Sequence, residues 1–213
     1  MANQLHPLFT DTFVSSLRSL IEAHHAVYPR IPPQGIFFES LVERAFRQAG
    51  WADTHIILTT PNSPEHDLLV GHTKISLKTQ TGVGTNRELI SITKLCTTEQ
   101  EPWDSPTLMR HVLQHLSRYD YILMLRAIWN TSRTVIHYQL LDIPVPLLKM
   151  MANLTAVVVG RRSGRRSLGV DVVDNGETVF HVHFDGADGK CQISRLLVRR
   201  CLQLLEWDQA ISV

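Results

Sequence analysis

The sequence lacks the features of a membrane or secreted protein. No run of about 18 or more apolar residues occurs in its 213 residues, which argues against a transmembrane helix. The first residues, MANQLHPLFTDTF, show no charged segment followed by an apolar one, so we expect no secretory signal. Only three cysteines are present, and Cys96, Cys191 and Cys201 are too scattered for a disulfide framework. We therefore expect an intracellular, cytoplasmic protein without a membrane partner.

A strong excess of one charge is also missing. The chain has 21 Lys and Arg against 20 Asp and Glu, with 11 His, for a formal net charge of +1. This balance excludes a histone-like protein, so any nucleic-acid affinity must come from local basic patches. The sequence has neither a GxxxxGK[ST] phosphate loop nor a GxSxG nucleophile elbow. The length predicts a single domain, residues 1–213, because domains commonly have about 100–200 residues.

Hydrophobic periodicity predicts a chain in which helices and strands are mixed. Helices are expected at 12–28, 35–50, 105–119, 145–154 and, closing the chain, 191–207. Strands are expected at 55–60, in a hairpin at 67–80 that turns at Gly71-His72, at 119–129 and 133–143, and in three segments of 155–186. The segment 88–102 fits neither pattern. This order predicts an α/β fold with a mixed central β-sheet flanked by helices.

The hairpin segment carries the candidate chemistry. Side chains of a strand alternate between its two faces, so Ser76, Lys78 and Gln80 share one face, and Leu77 on the other face fixes the register. Asp67, on the partner strand or just before it, can lie near that polar face. A carboxylate and a lysine placed there suit phosphodiester hydrolysis, because the carboxylate can hold Mg²⁺ and the lysine can stabilise charge on the phosphate.

This arrangement resembles the PD-(D/E)xK nuclease superfamily, especially the type II restriction endonucleases. Asp67 matches the first acid of the motif, and Ser76-Leu77-Lys78 matches its (D/E)xK tripeptide in an SxK form. Glu39 matches a glutamate that many members carry on the preceding helix. The resemblance implies a restriction-endonuclease-like fold. It also implies that the protein is prokaryotic and acts as a homodimer. The implied activity is Mg²⁺-dependent hydrolysis of double-stranded DNA at a short specific sequence, leaving 5′-phosphates.

Ser76 departs from the motif, because an acid is expected at its position. The missing carboxylate can come from Glu39 or from Glu88, ten residues after Lys78; we favour Glu39, whose helix begins just before the hairpin. The expected catalytic residues are Glu39, Asp67, Ser76, Lys78 and Gln80. The expected metal ligands are Asp67 and Glu39, with Glu88 as the alternative to Glu39.

A basic section near the C-terminus, 160–200, is the expected DNA-contacting region. Arginine side chains suit phosphates and guanine edges. The candidate DNA-binding residues are Arg161, Arg162, Arg165, Arg166, His181, His183, Lys190, Gln192, Ser194 and Arg195.

Other functions remain open from the sequence. One is a nicking or junction-resolving repair nuclease of the same superfamily, and another is a sequence-specific DNA-binding protein without cleavage, which the Ser76 substitution favours. A third is a metal-dependent small-molecule enzyme built on His181, His183 and Asp185, which share a strand face.

Overall fold

The computed structural model describes residues 7–59, 66–160 and 165–211. In these ranges the α-helices are α1 (Asp11–Val27), α2 (Ile36–Gln48), α3 (Ser105–Leu116) and the short α4 (Val145–Leu148). The chain divides into two compact units. The first comprises Met1–Thr85, Asp120–Asp142 and Gln203–Val213, and the second Asn86–Tyr119 and Ile143–Leu202. Whether both belong to one nuclease domain stays a prediction.

The first unit is built on a six-stranded mixed sheet. Its strands are β1 (Ile56–Leu58), β2 (Leu68–Val70), β3 (Thr73–Val83), β5 (Tyr121–Trp129), β6 (Val135–Asp142) and β11 (Leu202–Ala210), in the spatial order β1-β2-β3-β5-β6-β11. The pair β3–β5 is parallel, whereas β1–β2, β2–β3 and β5–β6 are antiparallel. The predicted α/β fold with a mixed sheet is confirmed.

Helices α1 and α2 pack on one face of this sheet and set the orientation of β3. Phe13 of α1 and Phe46 of α2 lie with ring centroids 4.2 Å apart in the core. Ile75 and Leu77 of β3 join the same core. Because neighbouring strand residues point to opposite faces, the residues that alternate with them, Ser76 and Lys78 among them, are directed away from it.

The second unit contains an antiparallel sheet of five strands. These are β4 (Leu89–Thr97), β7 (Val157–Val158), β8 (Leu168–Asp174), β9 (Glu177–Asp185) and β10 (Lys190–Leu197), in the order β4-β10-β9-β8-β7. Helix α3 lies beside β4, where the His111 ring is 2.9 Å from the carbonyl oxygen of Thr97. The segment 88–102, which fitted neither pattern, therefore supplies β4.

The closing helix predicted at 191–207 is wrong, because this segment forms β10, a short 3₁₀ turn and β11. Cys191 and Ile193 are buried while Gln192 and Ser194 are not, which is the two-residue period of a strand. Arg195 then adopts a left-handed conformation with φ 55°, and the pairing with β4 shifts register there. The bulge adds one residue to the alternation of buried and exposed side chains, so that Leu196 is buried three residues after Ile193. A spacing of three residues between buried apolar side chains is also typical of a helix, which is why the sequence predicted one.

Two other predicted elements, the helix at 145–154 and the second strand of the hairpin, differ from the structure only in length. The predicted helix 145–154 is shortened to α4 followed by a 3₁₀ turn, Lys149–Asn153. Strand β3 continues to Val83, three residues beyond the end of the predicted hairpin at Gln80. None of the helices in the described ranges combines the length and the apolar character that a membrane span requires.

Asp142, at the end of β6, is buried, and burial raises the pKa of its carboxyl group to about 6, partly offset by a hydrogen bond from the Ile122 backbone. A carboxyl group whose pKa is higher in the folded than in the unfolded protein contributes its full stabilisation only below the unfolded-state pKa. This contribution to the free energy of unfolding is lost as the pH rises through the folded-state pKa. Asp142→Asn is therefore expected to gain stability over the wild type between about pH 4 and pH 8, by up to about 3 kcal/mol.

Urea unfolding at both ends of that pH range measures the difference. Asp53→Asn, at an exposed aspartate of the same unit, is the control. A stability difference between Asp142→Asn and the wild type that does not change with pH would contradict the assignment.

Candidate active site

The β2–β3 hairpin turns over two residues, Gly71 and His72, as predicted. Gly71 has φ 62°, a left-handed value that suits glycine at the first position of a two-residue hairpin turn. The register pairs Val70 with Thr73 and Leu68 with Ile75. One further step of this register places Asp67 opposite Ser76, on the face that points away from the helical core.

Both the side chain and the backbone of Asp67 are held by hydrogen bonds to β3. Its Oδ2 accepts a hydrogen bond from the Leu77 backbone N–H at 2.6 Å and from the Ser76 hydroxyl at 3.1 Å. Its own backbone N–H donates to the Ile75 carbonyl oxygen at 3.0 Å. β2 begins at Leu68, so no residue of β2 lies opposite Leu77 to accept a hydrogen bond from its backbone N–H. The Asp67 carboxylate accepts this hydrogen bond instead.

Lys78 and Glu39 complete the group around Asp67. The Lys78 Nζ lies 3.9 Å from Asp67 Oδ2, and both side chains remain partly exposed. Burial raises the pKa of the Glu39 carboxyl group, the negative charge of Asp67 raises it further, and the positive charge of Lys78 lowers it. Glu39 of α2 is thus close enough to interact electrostatically with both residues of the hairpin.

Gln80 belongs to a polar network inside the same sheet. Arg126 of β5 is fully buried, and its Nε donates to Gln80 Oε1 at 2.9 Å. A second guanidinium nitrogen of Arg126 donates to Oε1 of Gln139 on β6. Both amide oxygens face the guanidinium, and this fixes the orientation of Gln80 two residues along β3 from Lys78.

These residues offer two carboxylates, one hydroxyl and one ammonium group at a single place. The described ranges contain no group of three or more His, Cys, Asp or Glu side chains that could hold a metal ion. Two carboxylates nevertheless suit Mg²⁺, which is commonly bound by one or two carboxylates while water and substrate phosphate fill the remaining positions. The donor set therefore fits a hard divalent cation that is completed by substrate.

Comparison with known proteins places this chain in a family. The family model SmaI, described as type II site-specific deoxyribonuclease, matches residues 2–209. The chain belongs to the SmaI family of type II site-specific deoxyribonucleases. The type II restriction enzyme SmaI of Serratia marcescens is 24% identical over 204 residues, which cover 94% of this chain and 81% of that enzyme.

The family match confirms the predicted enzyme class, and with it the expected hydrolase and DNA-binding functions of a type II deoxyribonuclease. One solved structure is also similar, a restriction endonuclease in complex with substrate DNA. It is 16% identical with a TM-score of 0.37, over 67% of this chain and 65% of the other, and so weak a match says nothing more about this fold.

The alternative second acid, Glu88, belongs to the second unit of this SmaI-family chain. Its backbone N–H donates to Asn86 Oδ1 at 2.7 Å, and its carbonyl oxygen accepts from the Val198 N–H at 2.9 Å. Both contacts lie within that unit. Glu39, by contrast, belongs to the same unit as Asp67 and interacts with it electrostatically.

Half of the ten predicted DNA-binding residues share one face of the five-stranded sheet. The register places Gln192 opposite His183 and Ser194 opposite His181, which in turn lies opposite Asp171. Along each strand these residues alternate with buried ones such as Val182 and Ile193, whose side chains point to the opposite face of the sheet. The polar face consists of Asp171, His181, His183, Asp185, Lys190, Gln192 and Ser194.

An ionic cluster is centred on Asp171 of this polar face. Its Oδ1 is 2.8 Å from His181 Nδ1 and accepts from the Arg195 guanidinium at 2.7 Å. A Cβ atom on Gly169 would lie 2.9 Å from His181 Nε2, so the glycine leaves room for the imidazole ring. His181 is therefore paired with a carboxylate.

The predicted basic loop is only partly described. Arg161 and Arg162 lie outside the described residues. Arg165 donates to the Glu99 carbonyl oxygen at 2.9 Å and lies over the Trp103 ring, 5.5 Å from its centre. The Arg166 carbonyl oxygen accepts from the Trp103 indole N–H at 2.6 Å.

Sequence reasoning missed Arg126, although the signal is visible. The segment YILMLRAIW is otherwise apolar, and the structure buries it on both faces. A single arginine in such a strand must find acceptors inside the sheet, because an unpartnered buried charge is very costly. Gln80 and Gln139, at the same level on the neighbouring strands, are those acceptors.

Proposed function

We propose that this chain is a Mg²⁺-dependent type II restriction endonuclease that hydrolyses double-stranded DNA at a short specific sequence and leaves 5′-phosphates. The observation that carries the proposal is the juxtaposition of Asp67 and Lys78 on the hairpin, with Glu39 close enough to interact with both. Membership of a type II deoxyribonuclease family supports the same substrate.

Asp67 and Glu39 would hold the ion. The hydrogen bonds from Ser76 and Leu77 fix one oxygen of Asp67, so the carboxylate is oriented before any ligand arrives. The charge of Asp67 makes ionisation of Glu39 less favourable, and a divalent cation between them would relieve that repulsion. When bound, the ion supplies polarisation of the phosphate and a more acidic water.

Lys78 would orient the nucleophilic water and stabilise the charge that develops on the phosphate oxygens. Its amine is positioned by Asp67 at 3.9 Å and remains partly exposed, as a group that must reach substrate needs to be. Ser76 would act through Asp67, because its hydroxyl donates to that carboxylate. Gln80, oriented by Arg126, would line the same face next to the phosphate.

The polar face of the five-stranded sheet is the surface that we assign to sequence recognition. His181, His183, Gln192 and Ser194 can donate to and accept from base edges. Arg195 stands at the bulge of β10, half-exposed beside Asp171. Arg161, Arg162, Arg165, Arg166 and Lys190 would contribute phosphate contacts.

Two copies of the chain would act together on the duplex. The described catalytic residues form one site per chain, and cutting both strands of a short symmetric sequence requires two sites related by a two-fold axis. The mass of the complex with a duplex containing the cleavage site tests this, and two chains per duplex are expected.

Incubation of unmethylated phage DNA with the protein, with Mg²⁺ or with EDTA, tests the function. Discrete fragments with 5′-phosphate ends are expected with Mg²⁺ only. Asp67→Ala and Lys78→Ala are expected to abolish cleavage while DNA binding is largely kept, because they remove an ion ligand and the phosphate-facing cation. Lys74→Ala, at an exposed lysine of the same strand, is the control and should cut at the wild-type rate.

The other results would each contradict part of the proposal. Wild-type cutting by Lys78→Ala would refute the site. Nicks without fragments would indicate a repair-type or junction-resolving nuclease. Intact DNA in both tubes, with binding retained, would indicate a DNA-binding protein without cleavage.

The source of the second acid can be tested separately. Glu39→Gln is expected to lower the cleavage rate by at least about a hundredfold, because it removes one of the two charged ion ligands. Glu43→Gln is the matched control: it lies one turn further along α2, where Glu43 pairs with Arg47 at 2.6 Å. Cleavage rates over a Mg²⁺ titration are the measurement. A large loss in Glu88→Gln with none in Glu39→Gln would reverse the assignment.

A further inference from the structure

A polar cavity, separate from the candidate active site, lies in the first unit at the end of β3 that is far from the hairpin turn. It has a volume of about 510 Å³. Its principal lining residues are Arg30, Thr81, Trp129, Ser132, Arg133 and Thr134. No acidic residue lines it in the described part of the chain. The site described above uses none of these side chains.

Arg133 is presented by a tightly bonded turn between β5 and β6. Asn130 Oδ1 accepts from the backbone N–H groups of Thr134 and Val135, at 2.9 and 3.1 Å. The Arg133 N–H donates to the Asn130 carbonyl oxygen at 3.1 Å. Within this turn Arg133 has φ 55°, a left-handed conformation that is unfavourable for a non-glycine residue. A strained arginine at a cavity suggests that its position serves a ligand.

The hydroxyl groups of the turn can also donate to a ligand. Asn130 Nδ2 donates to Ser132 Oγ at 3.0 Å and to Thr134 Oγ1 at 3.1 Å, and the two hydroxyls are 2.9 Å apart. Each hydroxyl has one proton, and their mutual hydrogen bond uses only one of the two. The other proton is therefore available to an acceptor in the cavity.

Arg30 is held by a different turn, after the end of α1. The Ile31 N–H donates to the Tyr28 carbonyl oxygen at 3.2 Å, which closes the turn around Arg30. The His25 Nδ1 is 3.2 Å from the Pro29 carbonyl oxygen, and its Nε2 is 2.7 Å from the Tyr138 hydroxyl on β6. A buried histidine thus anchors the turn to the sheet, and the side chain of Arg30 faces the cavity.

Neither arginine of the cavity has an ion-pair partner within residues 7–59, 66–160 and 165–211. Two other exposed arginines of this unit do have one: Arg18 pairs with Glu22 at 2.8 Å, and Arg47 with Glu43 at 2.6 Å. Two guanidinium groups and a hydroxyl donor at a cavity without carboxylates suit a phosphate, which guanidinium groups bind with charge-assisted hydrogen bonds.

The cavity and the candidate active site lie along the same strand. Thr81 follows Lys78 by three residues in β3, which is about 10 Å of extended chain. Phosphates of one DNA strand rise about 3.4 Å per nucleotide along the helix axis. Three steps along a strand turn a side chain to the opposite face, so Thr81 and Lys78 lie on different faces of β3. A DNA strand that reaches both places must therefore pass around the end of the sheet, with a few nucleotides between them.

We propose that the cavity between Arg30 and Arg133 binds a backbone phosphate of the DNA, within about four nucleotides of the scissile phosphate. This inference deepens the proposed function, on which its location relative to cleavage depends. The contact would position the strand on Lys78 without reading its sequence.

Arg133→Gly tests the contact with little risk to folding. Glycine adopts positive φ freely, so the variant loses the guanidinium group and should keep or exceed the thermal stability of the wild type. Arg30→Ala removes the second group. Arg44→Ala is the control, because Arg44 is an exposed arginine of α2 without a carboxylate partner in the described residues.

Binding of a mixed-sequence duplex is measured in EDTA over a range of salt concentrations. The double variant Arg30→Ala/Arg133→Gly is expected to bind about ten- to a hundredfold more weakly. The slope of log K against log salt should fall by about 0.9 for each phosphate that the protein no longer neutralises, or about 1.8 for two chains on one duplex. Arg44→Ala should stay within about twofold of the wild type in affinity.

Ethylation interference on the cleaved sequence gives the location. Wild-type binding should be blocked by ethylation of one phosphate near the scissile bond, and the double variant should be insensitive there. Wild-type affinity and salt slope in the double variant would overturn the inference while leaving the catalytic site intact. If the wild type binds DNA without cutting it, and the double variant binds more weakly, the phosphate contact would be supported and the proposed cleavage refuted.

Discussion

The Asp67 carboxylate is the interaction on which the proposed chemistry depends. It joins the end of β2 to the middle of β3 by accepting from Ser76 and Leu77, and it also lies beside Lys78. The same oxygen, Oδ2, makes all three contacts. The hairpin register and the placement of the lysine are thus coupled, and a one-residue slip of β3 would turn Lys78 into the core and Leu77 out of it.

A serine at position 76, where the motif that the sequence resembles has an acid, fits this arrangement. Ser76 is buried and donates to Asp67, so an acid at this position would put a second negative charge beside the first in a buried place. The structure instead has a carboxylate on α2, at Glu39, where half-burial and the charge of Asp67 both raise its pKa. An SxK tripeptide is thus compatible with two metal-binding carboxylates.

Local sequence predicted the hairpin and its residues well, because each contact there joins residues close along the chain. The turn at Gly71, the alternation around Leu77 and the helix carrying Glu39 were all evident. The closing helix was wrong, because the bulge at Arg195 depends on pairing with β4, about 100 residues earlier in the chain. Arg126 and the cavity of Arg30 and Arg133 were also out of reach, since their partners come together only when strands from distant segments form one sheet.

The central claim is that Asp67 and Glu39 together hold the divalent ion that the reaction uses. The most direct measurement is anomalous scattering from Mn²⁺ in crystals of the protein bound to its cleaved sequence. One ion is expected within about 2.5 Å of a carboxylate oxygen from each of Asp67 and Glu39. An ion coordinated by Glu88 in place of Glu39, or bound at His181 and His183 and absent from the hairpin, would contradict it.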